Sequence, residues 1–148
     1  MKYTQIERAV QERMRPGHIT ALGLLGDDQR PVADIMQADS EAFSRLGMDF
    51  DQVADLLEHL RSAGQDGLGE PITVDNRYLV STGDARGVLP CPWNDGVHHK
   101  NAITVQDQRS GRTIIYSDLS IHLLRVHHFC QGKGSPFRLD PDTLAAIL

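Results

Sequence analysis

The feature that most constrains the fold is a change in hydrophobic spacing near the middle of the chain. Before residue 64, apolar side chains recur every three or four positions, which is the spacing of amphipathic helices. After residue 69 they gather in short runs of β-branched and aromatic residues, which favour strands. The segment 64–69 carries three glycines and suits a flexible connection. The pattern predicts an α+β protein, with a helical half over 1–64 and a β-rich half over 65–148.

The helical half is predicted to contain three helices, over 4–14, 31–46 and 50–63. Pro31 is well placed at a first helical position, and Asp49 is a good N-cap residue. The apolar positions that define the helices are Ile6, Val10 and Met14, then Val32, Ile35, Met36, Phe43 and Leu46, then Val53, Leu56, Leu57 and Leu60.

The β-rich half is predicted to form a small antiparallel sheet with a helix packed against it. The strand-like runs are 72–74, 77–80, 102–105 and 113–116, and Arg109-Ser110-Gly111 is a good hairpin turn between the last two. Ser117-Asp118 can cap a helix over 118–128, and a short terminal helix follows over 143–148. A chain of 148 residues is long enough to bury a core, so residues 1–148 are expected to form a single domain.

A cluster of cysteines and histidines marks the candidate site. Five of the seven histidines and both cysteines lie between residues 91 and 130. Imidazole and thiolate groups are the usual ligands of zinc. The spacings His122-x4-His127 and His127-x2-Cys130 both occur among zinc ligands, and Cys91 would arrive from a loop. The sequence therefore predicts a zinc site formed by Cys91, His122, His127 and Cys130. Alternatively, His98 or His99 completes four ligands with Cys91, His127 and Cys130.

A structural interpretation competes with the metal site. Five residues turn a helix by roughly 140°, so His122 and His127 do not share a face of a straight helix. His122 follows the apolar stripe of Leu119, Leu123 and Val126, which is typical of a hydrogen-bonded core histidine. Cys91 is equally compatible with a small buried hydrophobic residue.

The segment 131–138 suggests a second site. Two glycines, Lys133, Ser135 and Arg138 are suited to a small anion-binding nest. The Gly-Lys-Gly-Ser run resembles the end of a phosphate-binding P-loop, but the earlier glycine and the following helix of that motif are missing. The alternative is a helix cap and a loop that holds the terminal segment in place.

Residues 32–82 resemble a winged-helix layout, which implies nucleic-acid binding. The resemblance consists of a helix-turn-helix around Gly47 followed by a hairpin from Pro71. Charge argues against that function, because residues 31–64 contain seven acidic residues and two arginines. An acidic helix repels phosphates. The helices over 31–63 are better suited to contact a protein partner or a second copy of the chain.

The remaining features give a general functional class rather than a reaction. Cys91 with His122 or His127 and Asp95 or Asp118 can be drawn as a nucleophile, base and orienting acid, but no local catalytic signature accompanies them. A net charge of −5 disfavours nucleic acids and anionic membranes. Two cysteines and no apolar run of roughly 20 residues favour a reducing cytoplasm. The expected function is a cytoplasmic binding or accessory domain, and the alternative is a zinc-binding protein or metal-dependent hydrolase.

Overall fold

The protein has the α+β fold that the sequence predicts. The computed structural model describes residues 5–20 and 23–148, so Thr4, the first residue of the predicted first helix, lies outside the described residues. Across the described residues there are five helices and one four-stranded antiparallel sheet. In chain order these are α1 (Gln5–Arg13), α2 (Val32–Arg45), α3 (Phe50–Gly64), β1 (Ile72–Val74), β2 (Tyr78–Pro90), β3 (Val97–Asp107), β4 (Thr113–Tyr116), α4 (Asp118–His127) and α5 (Pro141–Ile147).

Local capping chemistry explains where several helices begin. The Asp49 carboxylate accepts a hydrogen bond from the backbone N–H of Gln52 at 3.1 Å, which caps α3. Ser117 and Ser120 form a capping box at the start of α4. These caps satisfy backbone donors that a helix leaves free in its first turn. The start of α4 is therefore held in place, and the histidines further along the helix are held with it.

The sheet is a meander in which each strand pairs with its neighbour in the chain. β2 and β3 are much longer than predicted, and they pair as far as Pro90 and Val97. Neither β1 nor β4 pairs with residues 83–102, so we call this segment the hairpin arm. Its β2 side, Gly-Asp-Ala-Arg-Gly over 83–87, has little intrinsic strand preference, and the register shifts between Asp84 and Val88. Pairing with β3 overrides the local sequence there.

Two buried clusters form the core, and α4 contributes to both. Ile121 and Leu124 pack with α3 and the sheet, whereas Leu119 and Leu123 pack with α1, α2 and Cys91. The buried Tyr116 hydroxyl also donates a hydrogen bond to the Leu57 carbonyl at 2.7 Å. The helix that carries His122 and His127 is therefore fixed on two sides.

The predicted hairpin turn between β3 and β4 is organised by one buried carboxylate. Asp107 accepts hydrogen bonds from Arg77 at 2.8 Å and 3.1 Å and from the Ser110 hydroxyl at 2.6 Å. The Arg77 hydrogen bond outweighs burial and, with those from Ser110 and Arg109, holds the pKa of Asp107 well below its usual range.

None of the helices within residues 5–20 and 23–148 is long and apolar enough to cross a membrane.

We expect Asp107 to make the fold sensitive to acid. An unfolded aspartate has a pKa of about 3.9, and the folded value lies lower. The stabilising contribution is therefore complete above the unfolded pKa and is lost as the pH falls towards the folded pKa. Urea unfolding at several pH values should show that Asp107→Asn is less stable than the wild type at neutral pH. That difference should shrink below about pH 4. A difference that stays constant with pH would contradict this role.

Candidate metal centre

A tight loop at the tip of the hairpin arm presents Cys91 and Asp95. The loop covers residues 91–96 and joins β2 to β3. The Cys91 N–H donates to the Gly96 carbonyl at 3.0 Å, and the Asn94 N–H donates to the Cys91 carbonyl at 2.9 Å. Asn94 adopts φ 60°, a left-handed conformation that asparagine tolerates well. These bonds fold the loop so that the Cys91 and Asp95 side chains lie near the end of α4.

The C-terminal end of α4 presents the two histidines. His127 is the last residue of the helix, and His128 follows with φ 52°. The N–H groups of His128 and Phe129 bond back to helix carbonyls, as in a Schellman motif, although glycine is the usual residue at such a position. The His127 ring stacks on Trp93 of the tip loop, with ring centroids 4.1 Å apart. The tip loop and the helix end are therefore in direct contact.

Four potential ligand atoms converge between these two elements. One Asp95 oxygen lies 2.9 Å from His122 Nε2, and the other lies 2.7 Å from His127 Nε2. Cys91 Sγ lies 3.6 Å from His127 Nε2. One donor atom from each of the four side chains lies within 4.8 Å of all the others. The group has the composition and spacing of a candidate metal site.

The spacing of the group is close to that around a tetrahedral zinc ion. With Zn–N of about 2.0–2.1 Å and Zn–S of about 2.3 Å, a sulfur and a nitrogen ligand lie about 3.5 Å apart. The separation of Cys91 Sγ and His127 Nε2 is 3.6 Å. The contacts of Asp95 with the two histidines are shorter because they are hydrogen bonds. An ion would have to replace the histidine protons in these bonds and move the carboxylate slightly outward.

The electrostatics of the group favour a carboxylate beside a protonated thiol. Burial opposes ionisation of Asp95, but hydrogen bonds from Cys91, His122 and His127 outweigh it and hold the Asp95 pKa well below its usual range. Burial, together with the Asp95 carboxylate, raises the pKa of the Cys91 thiol to about 11. The thiol is therefore a poor nucleophile by itself, because the thiolate is the reactive form.

Three of the four predicted metal ligands come together, and the fourth lies elsewhere. Cys91, His122 and His127 belong to the group, whereas Cys130 is buried in the core cluster formed by α3, α5 and the sheet. Burial raises the pKa of the Cys130 thiol strongly. Both cysteines are free thiols. Asp95, which the sequence suggested only as an orienting acid beside Cys91, occupies the fourth position in the group.

His122 and His127 meet without any unwinding of the helix. The residues between them are helical throughout α4. The Asp95 carboxylate spans the angle between the two side chains, because each of its oxygens contacts a different ring. The predicted stripe is only partly buried: Leu119 and Leu123 are inside, but Val126 is 54% exposed. Since α4 packs against two cores, its buried positions spread around the helix instead of following one stripe.

The adjacent histidines His98 and His99 have different environments. The His98 ring lies against His122, with centroids 4.4 Å apart. Its Nε2 is buried and has no hydrogen-bond partner among the residues that the structure describes. Burial, followed by the neighbouring His122, lowers the pKa of His98. His99 is half exposed and pairs with Asp84 at 3.4 Å.

The arrangement differs from a cysteine–histidine–aspartate triad. In a triad, the nucleophile and the orienting acid contact opposite nitrogens of the imidazole ring. Here Cys91 and Asp95 both contact Nε2 of His127. The other predicted acid, Asp118, lies 3.4 Å from Arg61 instead. The convergence of several donors on one point fits a candidate metal site better than a triad.

The predicted anion-binding residues have internal partners. The Arg138 guanidinium forms two hydrogen bonds with the buried Asp39 carboxylate, at 2.9 Å and 3.0 Å. The Ser135 hydroxyl donates to the Gln131 side chain at 2.6 Å. The backbone N–H of Lys133 donates to Asp28 at 3.0 Å. These contacts hold the loop against α2 and the segment before it, and anion binding by Lys133, Ser135 and Arg138 stays a prediction.

Some acidic residues of the helices that are predicted to bind a partner form ion pairs with other parts of the chain. Arg125 of α4 bonds to Asp55 at 2.8 Å and to Glu58 at 3.0 Å. Asp39 is paired with Arg138. Contact with a partner or a second copy through residues 31–63 stays a prediction.

An open cleft of about 280 Å³ lies beside the candidate metal centre. His122 lines the cleft and also belongs to the donor group, so the two spaces adjoin. The other lining residues are Glu58, Arg61, His98, Asp118, Ile121 and Arg125.

Comparison of the chain with models of protein families, with curated proteins and with solved structures finds no match.

We expect His122 to stabilise the fold even in metal-free protein. Replacing it with alanine removes a largely buried ring that contacts His98 and a hydrogen bond to Asp95. In urea unfolding with a chelator present, His122→Ala should lose about 2 kcal/mol of unfolding free energy. The matched control is His99→Ala, which should change stability by less than about 0.5 kcal/mol because the side chain is exposed. Equal and small losses in both variants would refute the structural role of His122.

Proposed function

We propose that this protein is a zinc-binding domain whose ion is held by Cys91, Asp95, His122 and His127. The observation that carries the proposal is the convergence of these four donors from two separate elements. Exposed acidic groups often cluster without an ion, but this group also contains a buried cysteine and two largely buried histidines.

The donor types favour zinc over the hard cations. Calcium and magnesium prefer oxygen ligands, and this group contains a single carboxylate. A thiolate, two imidazoles and a carboxylate together suit zinc, and the tetrahedral spacing agrees with the distance between Cys91 and His127.

The proposed role of the ion is to join the tip of the hairpin arm to the end of α4. Cys91 and Asp95 lie on the tip loop, and the two histidines lie 27 to 36 residues further along the chain. The arm is a two-stranded ribbon that neither outer strand supports. Two-stranded ribbons are marginally stable by themselves. An ion shared between the arm and the helix would therefore restrict the motion of the arm.

Purified protein should bind one zinc ion per chain, and the two cysteines should differ in their importance. Cys91→Ala removes a donor from the group, so we expect it to abolish stoichiometric binding. Cys130→Ala is the matched control, since it removes a buried thiol outside the group, and it should retain one ion. Elemental analysis after dialysis, with competition against a chromogenic chelator, measures both. Loss of zinc in Cys130→Ala but not in Cys91→Ala would refute this ligand set.

The same proteins test whether the ion stabilises the fold by joining the hairpin arm to α4. A ligand that binds only the folded state at a free concentration about one hundred times its dissociation constant adds about 2.7 kcal/mol to the unfolding free energy. We expect a gain of this order for the wild type and for Cys130→Ala, and none for Cys91→Ala. If the wild type binds zinc but its free energy of unfolding does not change, this stabilising role is contradicted.

A second candidate function is metal-dependent hydrolysis, which the cleft beside His122 favours. The Asp95 side chain is 35% exposed, so a water molecule has access to one side of the group. A metal-bound water is a nucleophile near neutral pH. Zinc-dependent turnover of a panel of small ester, amide and phosphoester substrates, abolished in Cys91→Ala and retained in Cys130→Ala, would support this function. Absence of zinc-dependent turnover across the panel would favour the structural role of the ion over hydrolysis.

A further inference from the structure

His98 is the one neighbour of the donor group with an unused buried nitrogen, within the part of the chain that the structure describes. It lies on β3, where it pairs with Leu89 across the hairpin arm. A buried polar atom without a hydrogen-bond partner is unfavourable, and in native proteins it calls for a specific explanation. A neutral imidazole carries a lone pair on one of its ring nitrogens, and that lone pair can bind a metal ion.

The position of His98 directs that nitrogen towards the tip loop. A Cβ atom built on Gly96 would lie 3.8 Å from His98 Nε2, so the nitrogen lies beside the residue that follows Asp95. The ring also lies against His122, with centroids 4.4 Å apart and planes inclined by 35°. The His98 ring therefore contacts one of the four donor residues, and its nitrogen lies beside the loop that carries Asp95, although His98 does not belong to the group of mutually close atoms.

We propose that His98 is a fifth donor to the metal centre. The inference rests on the proposed function, because it concerns the same ion. Cys91, Asp95 and His98 follow a Cys-x3-Asp-x2-His spacing at the end of the hairpin arm, so the arm supplies three donors and α4 supplies two. Zinc at catalytic sites can take a fifth ligand, although structural zinc sites usually have four. The ion then gives the unpaired nitrogen of His98 a partner.

His99 provides a matched control for this assignment. It is adjacent in sequence, but its side chain is half exposed and pairs with Asp84. Substitution with phenylalanine separates two roles of His98, since the aromatic ring can still lie against His122 while the nitrogen donor is lost. Substitution with alanine removes both the ring and the donor.

The test is titration of metal-free wild type, His98→Phe, His98→Ala and His99→Phe with cobalt(II), followed by visible absorption. We expect both His98 variants to bind cobalt more weakly by roughly tenfold or more, since even the loss of a residue that only supports a ligand costs 10- to 100-fold. Their visible bands should also intensify, because cobalt absorbs more strongly with four ligands than with five. His99→Phe should match the wild type in both measurements.

The outcomes separate this inference from the proposed function. If the wild type binds cobalt and His98→Phe matches it in affinity and spectrum, His98 is not a donor and the zinc-binding proposal stands. If His98→Phe or His98→Ala binds more weakly with an unchanged spectrum, His98 acts only by positioning His122, which also overturns the donor assignment. If the wild type binds no cobalt and no zinc, both proposals fail.

Discussion

The packing of α4 between two cores is the constraint on which the rest of the structure depends. Ile121 and Leu124 face the sheet and α3, and Leu119 and Leu123 face the helices from the first part of the chain. A helix of ten residues that is buried on two sides has little freedom to rotate or slide, because close-packed interiors resist small shifts. Only a narrow arc of the α4 surface is therefore exposed. His122 and Arg125 lie on that arc, so their partners come from the elements that pack beside it.

Two chain segments contact that arc, and they differ in how firmly the rest of the fold holds them. α3 brings Asp55 and Glu58 to Arg125, from a helix that is itself packed on the sheet. The hairpin arm brings Asp95 to His122 and His127, from a ribbon whose outer edges are unpaired. The stacking of Trp93 on His127 and the hydrogen bond from Arg13 to the Pro92 carbonyl help to hold the arm tip. The candidate metal centre thus joins a helix packed between two cores to a segment that pairs with neither outer strand of the sheet.

The sequence predicted the elements whose signals are local and missed the features that depend on contacts between distant residues. The helix over 50–63 and the hairpin around Ser110 have caps, turns and periodicity within a few residues, and both are found where expected. The length of the hairpin arm was missed because strand pairing overrides the poor propensity of residues 83–87. For the candidate site, residue type and spacing predicted Cys91, His122 and His127 as ligands, and these three residues lie together in the donor group. Asp95 was not assigned as a ligand, because only the folded loop brings its carboxylate between two histidines.

Cys130 shows why spacing alone misleads at the end of a helix. The His127-x2-Cys130 spacing places both side chains on one face only if the helix continues. The helix ends at His127, and the left-handed conformation of His128 redirects the chain before it reaches Cys130. Cys130 then enters the core on the other side of α4. A helix end without glycine at the usual position gives little warning of this change in direction.

The donor group differs from the metal sites of small domains that fold only when an ion binds. In such domains the ion replaces a hydrophobic core that the chain is too short to form. Here two clusters of buried side chains form the core, only Cys91 among them belongs to the donor group, and hydrogen bonds to Asp95 already orient both histidines. An ion would exchange protons for a metal within an ordered arrangement, so little conformational entropy would be lost on binding. The physical effect of the ion should therefore concentrate on the hairpin arm, which pairs with neither outer strand of the sheet.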